Sequence, residues 1–146
     1  MRSLPFVLLA FGTLFLSGCV TTAKEQYVKD GYRLLSGPEI SVLVSGNTVE
    51  GRYWNGSGDF VDYFSPDGRV ASIEPSGKHY LGSWKVDGDL LCFAYPEAAL
   101  PYPKCVEIAE KGGHYVDFRT GGPTYGKVGA ERTSFVPGNV KNLPLE

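Results

Sequence analysis

The sequence has little of what metal sites and most nucleophilic active sites are built from. Among 146 residues there are three cysteines, two histidines and one methionine. His79 and His114 belong to no H-x-H or H-E-x-x-H pattern, and the C-x12-C spacing of Cys92 and Cys105 matches no zinc site. A Gly-x-Ser-x-Gly step is also missing. We therefore predict a protein without a metal, a cofactor or catalytic residues.

Concentrated positive charge is missing as well. The chain has 14 lysines and arginines against 16 aspartates and glutamates, and no segment collects the basic residues. Nucleic-acid binding depends on a basic patch that neutralises phosphates. The charge distribution therefore predicts no nucleic-acid partner.

The chain also lacks an apolar run long enough to span a bilayer, which takes about 20 residues. Arg2 precedes an apolar stretch, Leu4–Leu16, of only 13 residues. A positive residue followed by a short apolar region is typical of a signal peptide. We therefore expect residues 1–18 to be a signal peptide that is removed on export.

Leu16-Ser17-Gly18-Cys19, at the end of that stretch, resembles the lipobox of bacterial lipoprotein precursors. The resemblance implies cleavage before Cys19, a diacylglycerol on its sulfur and an acyl chain such as palmitate on its amine. Two or three acyl chains anchor a protein stably in a membrane. Val20 and Thr21 lack the acidic residue that retains such lipoproteins in the inner membrane, so the resemblance implies the inner leaflet of the outer membrane, facing the periplasm. The alternative is an ordinary signal peptide with an incidental cysteine.

Cys92 and Cys105 are predicted to form a disulfide, because they remain as an even pair in an oxidising compartment once Cys19 carries lipid. In 90–95 and 104–108 the larger apolar residues alternate, and each cysteine lies on the opposite face. Both sulfurs are therefore expected on the outer surface of an antiparallel pair. A reactive thiol pair is the alternative.

The 19 glycines, 10 prolines and 13% aromatic residues favour short strands joined by tight turns. A capping box at Ser36–Glu39, followed by Ile40, Leu43 and Val44 on one face, predicts one short helix over 38–45. Alternation between turn motifs predicts eight strands, at 48–54, 59–64, 69–74, 78–86, 90–95, 104–110, 114–119 and 124–128.

An all-β, up-and-down antiparallel barrel over residues 35–146 follows from these elements, because closure removes both exposed edges. The helix is expected to close one end. A two-sheet sandwich is the alternative, since it has the same alternation. Residues 19–34 are polar and without period, so we expect a lipidated tether, and the tail from about 131 is expected to be irregular.

Aromatic residues fall on most of the predicted strands. In an eight-stranded barrel they either fill the interior or surround one small ligand, and at this chain length a filled interior is favoured. Asp59 and Asp62 lie at turn and strand-end positions, where solvated carboxylates are expected. His79 is expected to face outward, and His114, on one face with Val116 and Phe118, to lie at a barrel rim.

Two resemblances support the fold. Gly82-Ser83-Trp84, with the capped helix and the strand meander, resembles the calycin group, in which Gly-x-Trp opens the first strand rather than the fourth. Segments 35–40, 46–51, 63–68 and 82–86, with the two cysteines that follow, resemble a family of small exported bacterial proteins of unknown function. The calycin resemblance implies a carrier of a small apolar ligand.

A third resemblance implies a mechanism. Ser76-Gly77-Lys78-His79-Tyr80 is similar to the Ser-Gly-x-x-Tyr motif of the membrane-bound inhibitors of c-type lysozyme, which are lipid-anchored eight-stranded barrels with a different cysteine layout. In that family the loop enters the lysozyme cleft, where a serine and a lysine engage the catalytic carboxylates. The resemblance implies Ser76 as the inserted donor, Tyr80 as a brace, and Lys85 or Lys78 as the cation.

These features together predict a lipid-anchored, non-catalytic binding or envelope-associated protein. Besides the membrane, its partner would be a protein, a glycan or a small apolar molecule. Inhibition of c-type lysozyme and a calycin-type carrier function are the alternatives.

Overall fold

One antiparallel sheet closes into a barrel in the computed structural model, which describes residues 21–97 and 104–146. Strands β2 to β9 follow one another around the barrel, and β2 pairs with β9 as well as with β3. A two-sheet sandwich has no such closing pair, so the predicted barrel is confirmed and the sandwich is excluded. The predicted signal peptide and Cys19 lie outside the described residues.

Seven of the eight predicted strands are present, with ends shifted by at most one residue. Turn residues set these ends; in the β3–β4 turn, for example, Gly68 N donates to Ser65 O at 3.0 Å. The strands are β1 Arg33–Leu34, β2 Asn47–Tyr53, β3 Asp59–Phe64, β4 Arg69–Ile73, β5 His79–Asp87, β6 Leu90–Ala94, β7 Lys104–Lys111, β8 His114–Arg119 and β9 Val128–Pro137.

Helix α2, Gly37–Val44, closes one end of the barrel, which we call the helix end. Its capping box is present as predicted, since Ser36 N donates to Glu39 Oε2 at 2.8 Å. Ile40 and Val44 are fully buried and point into the main apolar core. The other fully buried members of that core are Val49, Phe64, Val70, Leu91 and Ile108.

The Gly82-Ser83-Trp84 step serves the packing of this core. Trp84 lies edge to face against Phe64, with ring centroids 5.6 Å apart, and its Nε1 donates to Ser65 O at 2.8 Å. A Cβ atom at position 82 would collide with the carbonyl oxygen of Ala94 on the next strand. Glycine is therefore required here because β5 and β6 approach each other closely.

A second helix, α1, Ala23–Lys29, lies where the tether was predicted. Thr22 caps it, because Glu25 N donates to Thr22 Oγ1 at 3.2 Å and Thr22 N donates to Glu25 Oε2 at 2.8 Å. After the helix, β1 pairs with Ala109 and Glu110 of β7. The tether prediction was therefore wrong for residues 22–34, which belong to the folded domain.

Helix α1 is held because it covers apolar side chains on the outside of the barrel. Tyr27 packs edge to face against Phe118, with ring centroids 5.4 Å apart. This outer cluster contains Ala109, Val116, Phe118 and Val128, with Tyr27 and Tyr32 against it. In residues 21–97 and 104–146 no helix combines the length and apolarity needed to cross a membrane.

The end of the chain contradicts two predictions. The eighth barrel strand is β9, Val128–Pro137, rather than 124–128, and Gly122–Thr124 is a short 3-10 helix. The tail is therefore regular through Pro137 instead of irregular from 131. The alternation of apolar and polar residues in β9 is not visible in the sequence for two reasons. A charged residue, Arg132, occupies an inward position, and the β2–β9 register shifts beside Gly51.

The predicted disulfide joins Cys92 and Cys105, which are direct partners across β6 and β7. Leu91 and Val106, one residue further on each strand, pack into the interior, so the cysteines lie on the opposite, outer face. Cys92 is nevertheless only 3% exposed. The bond fastens β6 to β7 around a connection of which residues 98–103 lie outside the described part.

Candidate functional site

The interior of the barrel has two different halves. Apolar side chains fill the half at the helix end. The other half holds a cavity of about 1090 Å³, just above the roughly 300–1,000 Å³ that is typical of small-ligand sites. Exposed turn residues such as Ser57, Ser76 and Gly121 line it, so it reaches the surface at the end opposite α2. The expectation of a filled interior is therefore correct for one half only.

Side chains of opposite charge stand on opposite sides of this cavity. Asp62 on β3 and Glu74, directly after β4, line one side, which we call the acidic wall. Lys104 on β7 and Arg119 on β8 line the other, the basic wall. Strands four apart face each other in an eight-stranded barrel, so β3 faces β7 and β4 faces β8. The aromatic lining consists of Tyr53, Phe60, Tyr80, Phe93 and Tyr95.

A buried ion pair separates the cavity from the apolar core. Arg132 Nε and Nη2 donate to the carboxylate of Asp117 at 2.9 and 2.8 Å. The two side chains are only 1% and 5% exposed. On the core side, the Arg132 guanidinium lies 5.8 Å from the centre of the Phe64 ring. Because the two charges compensate each other, this floor of the cavity carries no net charge.

Gly51 makes room for the floor and for one aromatic side chain of the lining. It pairs with Phe60 on β3 and with Arg132 on β9. A Cβ atom at position 51 would collide with the Phe60 ring and lie 2.7 Å from Glu131 O. A larger residue would therefore displace Phe60 from the cavity.

Asp62 is a buried carboxylate rather than a solvated one. Its side chain faces the interior, and Tyr95 Oη donates to its Oδ1 at 3.4 Å. Burial raises the pKa of Asp62 to about 6. On the same wall Tyr53 Oη donates to Glu74 Oε1 at 2.8 Å, and burial raises the pKa of Tyr53 as well. The expectation of a solvated Asp62 was wrong, because it occupies an inward position within a strand.

Asp62→Asn is expected to remove a pH dependence of stability. An acid with a pKa of about 6 when folded and an ordinary pKa of 3.8 binds more protons in the folded state, so its contribution to stability falls as pH rises between these values. Between about pH 5 and about pH 7.5 the wild type should lose about 1–2 kcal/mol of unfolding free energy through this group.

Urea unfolding at the two pH values measures this loss, which Asp62→Asn should abolish. Asp59→Asn is the matched control, because its hydrogen bond to Arg52 lowers the pKa of Asp59 and places its titration below that window. An equal loss of stability in Asp62→Asn and wild type would contradict the role given to Asp62.

The segment Ser76–Tyr80 comprises the last residues of the turn between β4 and β5 and the first two residues of β5, at the cavity end. Ser76 is exposed and lines the cavity, and Tyr80 faces into it. Lys78 Nζ lies over the Tyr80 ring, 4.6 Å from its centroid. Lys85 lies further along β5 on the outer face, where it pairs with Asp87 at 2.9 Å. The structure thus brings Ser76, Lys78 and Tyr80 together and leaves Lys85 apart.

The two histidines lie outside the cavity. His79 is exposed at the start of β5, as expected. His114 begins β8 on the outer face, where Nδ1 lies 2.7 Å from Tyr32 Oη and Nε2 lies 3.7 Å from Glu131. Among residues 21–97 and 104–146, no three His, Cys, Asp or Glu side chains are grouped to hold a metal ion.

The charged cavity residues were not identified from the sequence, although one signal was present. Asp62 lies at alternate spacing with Phe60 and Phe64, so all three share one strand face. The arrangement as a whole offers a neutral floor, two charged walls and an aromatic lining, which suits the binding of a small molecule with polar groups.

No family model, no curated protein and no solved structure matches the chain.

Proposed function

We propose that this protein is a non-catalytic binding protein of the cell envelope, anchored through lipid on Cys19, that holds a small molecule in the barrel cavity. The observation that carries the proposal is the cavity of about 1090 Å³ in the half of the barrel opposite α2. Eight-stranded barrels are wide enough to hold one small ligand. The lipobox Leu16-Ser17-Gly18-Cys19 supports the anchor.

The polar groups around the cavity favour binding over catalysis. An activated nucleophile needs a neighbouring base that lowers its pKa or takes its proton. Burial instead raises the pKa of Tyr53 and Tyr95, so both phenols keep their protons. Arg132 and Asp117 are bound to each other. Such groups present fixed hydrogen bonds and charges to a ligand.

The lining also narrows the choice among the expected functions. Charged residues on two walls favour a ligand with polar groups over the purely apolar ligand of a calycin-type carrier. Inhibition of a c-type lysozyme is the other alternative, and the exposed turn with Ser76 and Lys78 is compatible with it. It receives less support because Lys85, one of its two candidate cations, lies away from the turn and is paired with Asp87.

Binding of the neutral fluorophore N-phenyl-1-naphthylamine to the mature chain tests the proposal. We expect a rise in its fluorescence that saturates at one site per molecule. Ala130 is buried and faces the cavity, so Ala130→Phe should fill part of it and weaken binding about tenfold or more, which is at least about 1.4 kcal/mol.

Ser83→Phe is the matched control, because Ser83 is exposed on the outer face of β5 and its replacement should leave the affinity unchanged. Circular dichroism checks that both variants are folded. Equal binding by Ala130→Phe, or absence of binding of both this fluorophore and small polar peptides to the wild type, would contradict the proposal.

A further inference from the structure

The two walls of the cavity carry charges without ionic partners. In the described part of the chain, Lys104 and Arg119 pair with no carboxylate and Glu74 pairs with no cation. Lys104 and Arg119 are exposed at the mouth of the cavity, and Glu74 is half-buried. A ligand with complementary charges can pair with both signs at once, so both signs of charge are recognition elements.

The remaining charged groups near the cavity do not cancel these walls. Arg132 is paired with Asp117, to which it donates hydrogen bonds from Nε and Nη2. Lys78 lies over the Tyr80 ring, 4.6 Å from its centroid, and makes no ion pair with Glu74. Asp62 lies below the rim and adds to the acidic wall. The cavity is therefore bipolar, with its acidic and basic sides on opposite strands of the barrel.

We propose, building on the proposed function, that the ligand is a small zwitterion whose ammonium and carboxylate groups lie at opposite ends of an apolar or aromatic middle. A short peptide with free termini has this chemistry. The ammonium group would lie against Glu74, and the carboxylate against Arg119 and Lys104. Arginine suits the carboxylate because its planar guanidinium can donate two parallel hydrogen bonds.

The middle of such a ligand would contact the aromatic lining. Tyr80 on β5 and Tyr95, directly after β6, have ring centroids 6.1 Å apart, and Phe93 on β6 lies 6.0 Å from Tyr95, so the three rings are adjacent. These two strands lie between the acidic and basic walls in the order of the barrel. The charges and the rings thus match one ligand laid across the cavity.

The same walls would reject ligands with only one kind of charge. A simple anion would approach Glu74 and Asp62, and a simple cation would approach Lys104 and Arg119. Specificity of this kind rests on repulsion of the wrong partner as much as on attraction of the right one. A comparison of ligands that differ only in their terminal charges therefore tests the inference.

Four forms of the dipeptide Trp-Gly provide such a comparison: both termini free, amino terminus acetylated, carboxyl terminus amidated, and both blocked. Affinities come from chemical-shift titration of the isotope-labelled mature protein. We expect the form with both termini free to bind about tenfold more tightly than either singly blocked form, since hydrogen bonds to charged groups contribute on this order.

Variants of the two walls should separate the two contributions. Arg119→Gln is expected to abolish the advantage of the free carboxylate and to keep that of the free amine. Glu74→Gln should have the opposite effect. Lys85→Gln is the matched control, because this exposed lysine lies on the outer face and should change neither.

Equal affinity of all four peptides, or the same response of both wall variants to both termini, would overturn the inference. If no peptide binds while N-phenyl-1-naphthylamine still does, the zwitterion inference fails and the proposed function stands. If neither probe binds in the cavity, the proposed function fails.

Discussion

Arg132→Met is expected to lower the free energy of unfolding by about 3–5 kcal/mol, because removal of one partner leaves a buried charge without compensation. The remaining carboxylate, Asp117, has a side chain that is only 5% exposed. In the native protein it receives hydrogen bonds from Arg132 Nε and Nη2 at 2.9 and 2.8 Å. Urea unfolding measures the effect. It is done at about pH 5, because Asp62, whose pKa is about 6, is then mostly protonated.

The double replacement Arg132→Met with Asp117→Leu should recover most of this loss. Apolar residues of similar volume often replace a buried ion pair with little change in stability, because neither charge must then be desolvated. Arg132 already contacts the apolar core through Phe64, which favours such a replacement. The recovery distinguishes an uncompensated charge from a simple packing defect, which a second replacement would make worse.

Arg52→Met is the matched control for the single variant. Arg52 also pairs with an aspartate, Asp59, at 2.7 Å, but on the outer surface, with side chains 69% and 66% exposed. Exposed pairs are screened by solvent, so its replacement should leave the unfolding midpoint nearly unchanged. A stable Arg132→Met variant, or a double variant as unstable as the single one, would contradict the role of the buried pair.

The barrel could largely be predicted because its strands and turns carry local signals. β3 and β8 were located to the residue, since each alternates between turn motifs with glycine or proline. The helix α1 carried a signal too, because Thr22 and Glu25 form the T-x-x-E capping box. The sequence did not predict α1, because the helix has few apolar residues. It is stabilised by packing against the outer face of strands that are distant in the sequence.

The cavity could not be predicted, because closure of the barrel decides which strand face is the inner one. In β8 the apolar residues Val116 and Phe118 face outward against α1, while Asp117 faces inward. Alternation alone assigns these faces the other way round. Only the pairing of β8 with β9 brings Asp117 to Arg132, and β9 was the strand whose alternation was hidden.

Cys19→Ser is expected to abolish lipid attachment completely. The lipobox resemblance makes the Cys19 thiol the acceptor of the diacylglycerol, and a serine hydroxyl cannot form that thioether. Growth of cells with radiolabelled palmitate, followed by isolation of the protein, measures the attachment directly. The wild type should carry the label and Cys19→Ser should carry none.

The location of the protein should follow the lipid, because two or three acyl chains account for stable anchoring and a single chain binds only marginally. A version in which residues 1–19 are replaced by an ordinary cleavable export signal should therefore leave the membrane fraction and appear as a soluble periplasmic protein. Cys92→Ala with Cys105→Ala is the matched control: it removes the other two cysteines and should keep the palmitate label, since the disulfide lies in the barrel wall between β6 and β7. Label that persists in Cys19→Ser would place the lipid on another residue, and label that is missing from the wild type would show that residues 1–18 are an ordinary signal peptide; either result would contradict the role given to Cys19.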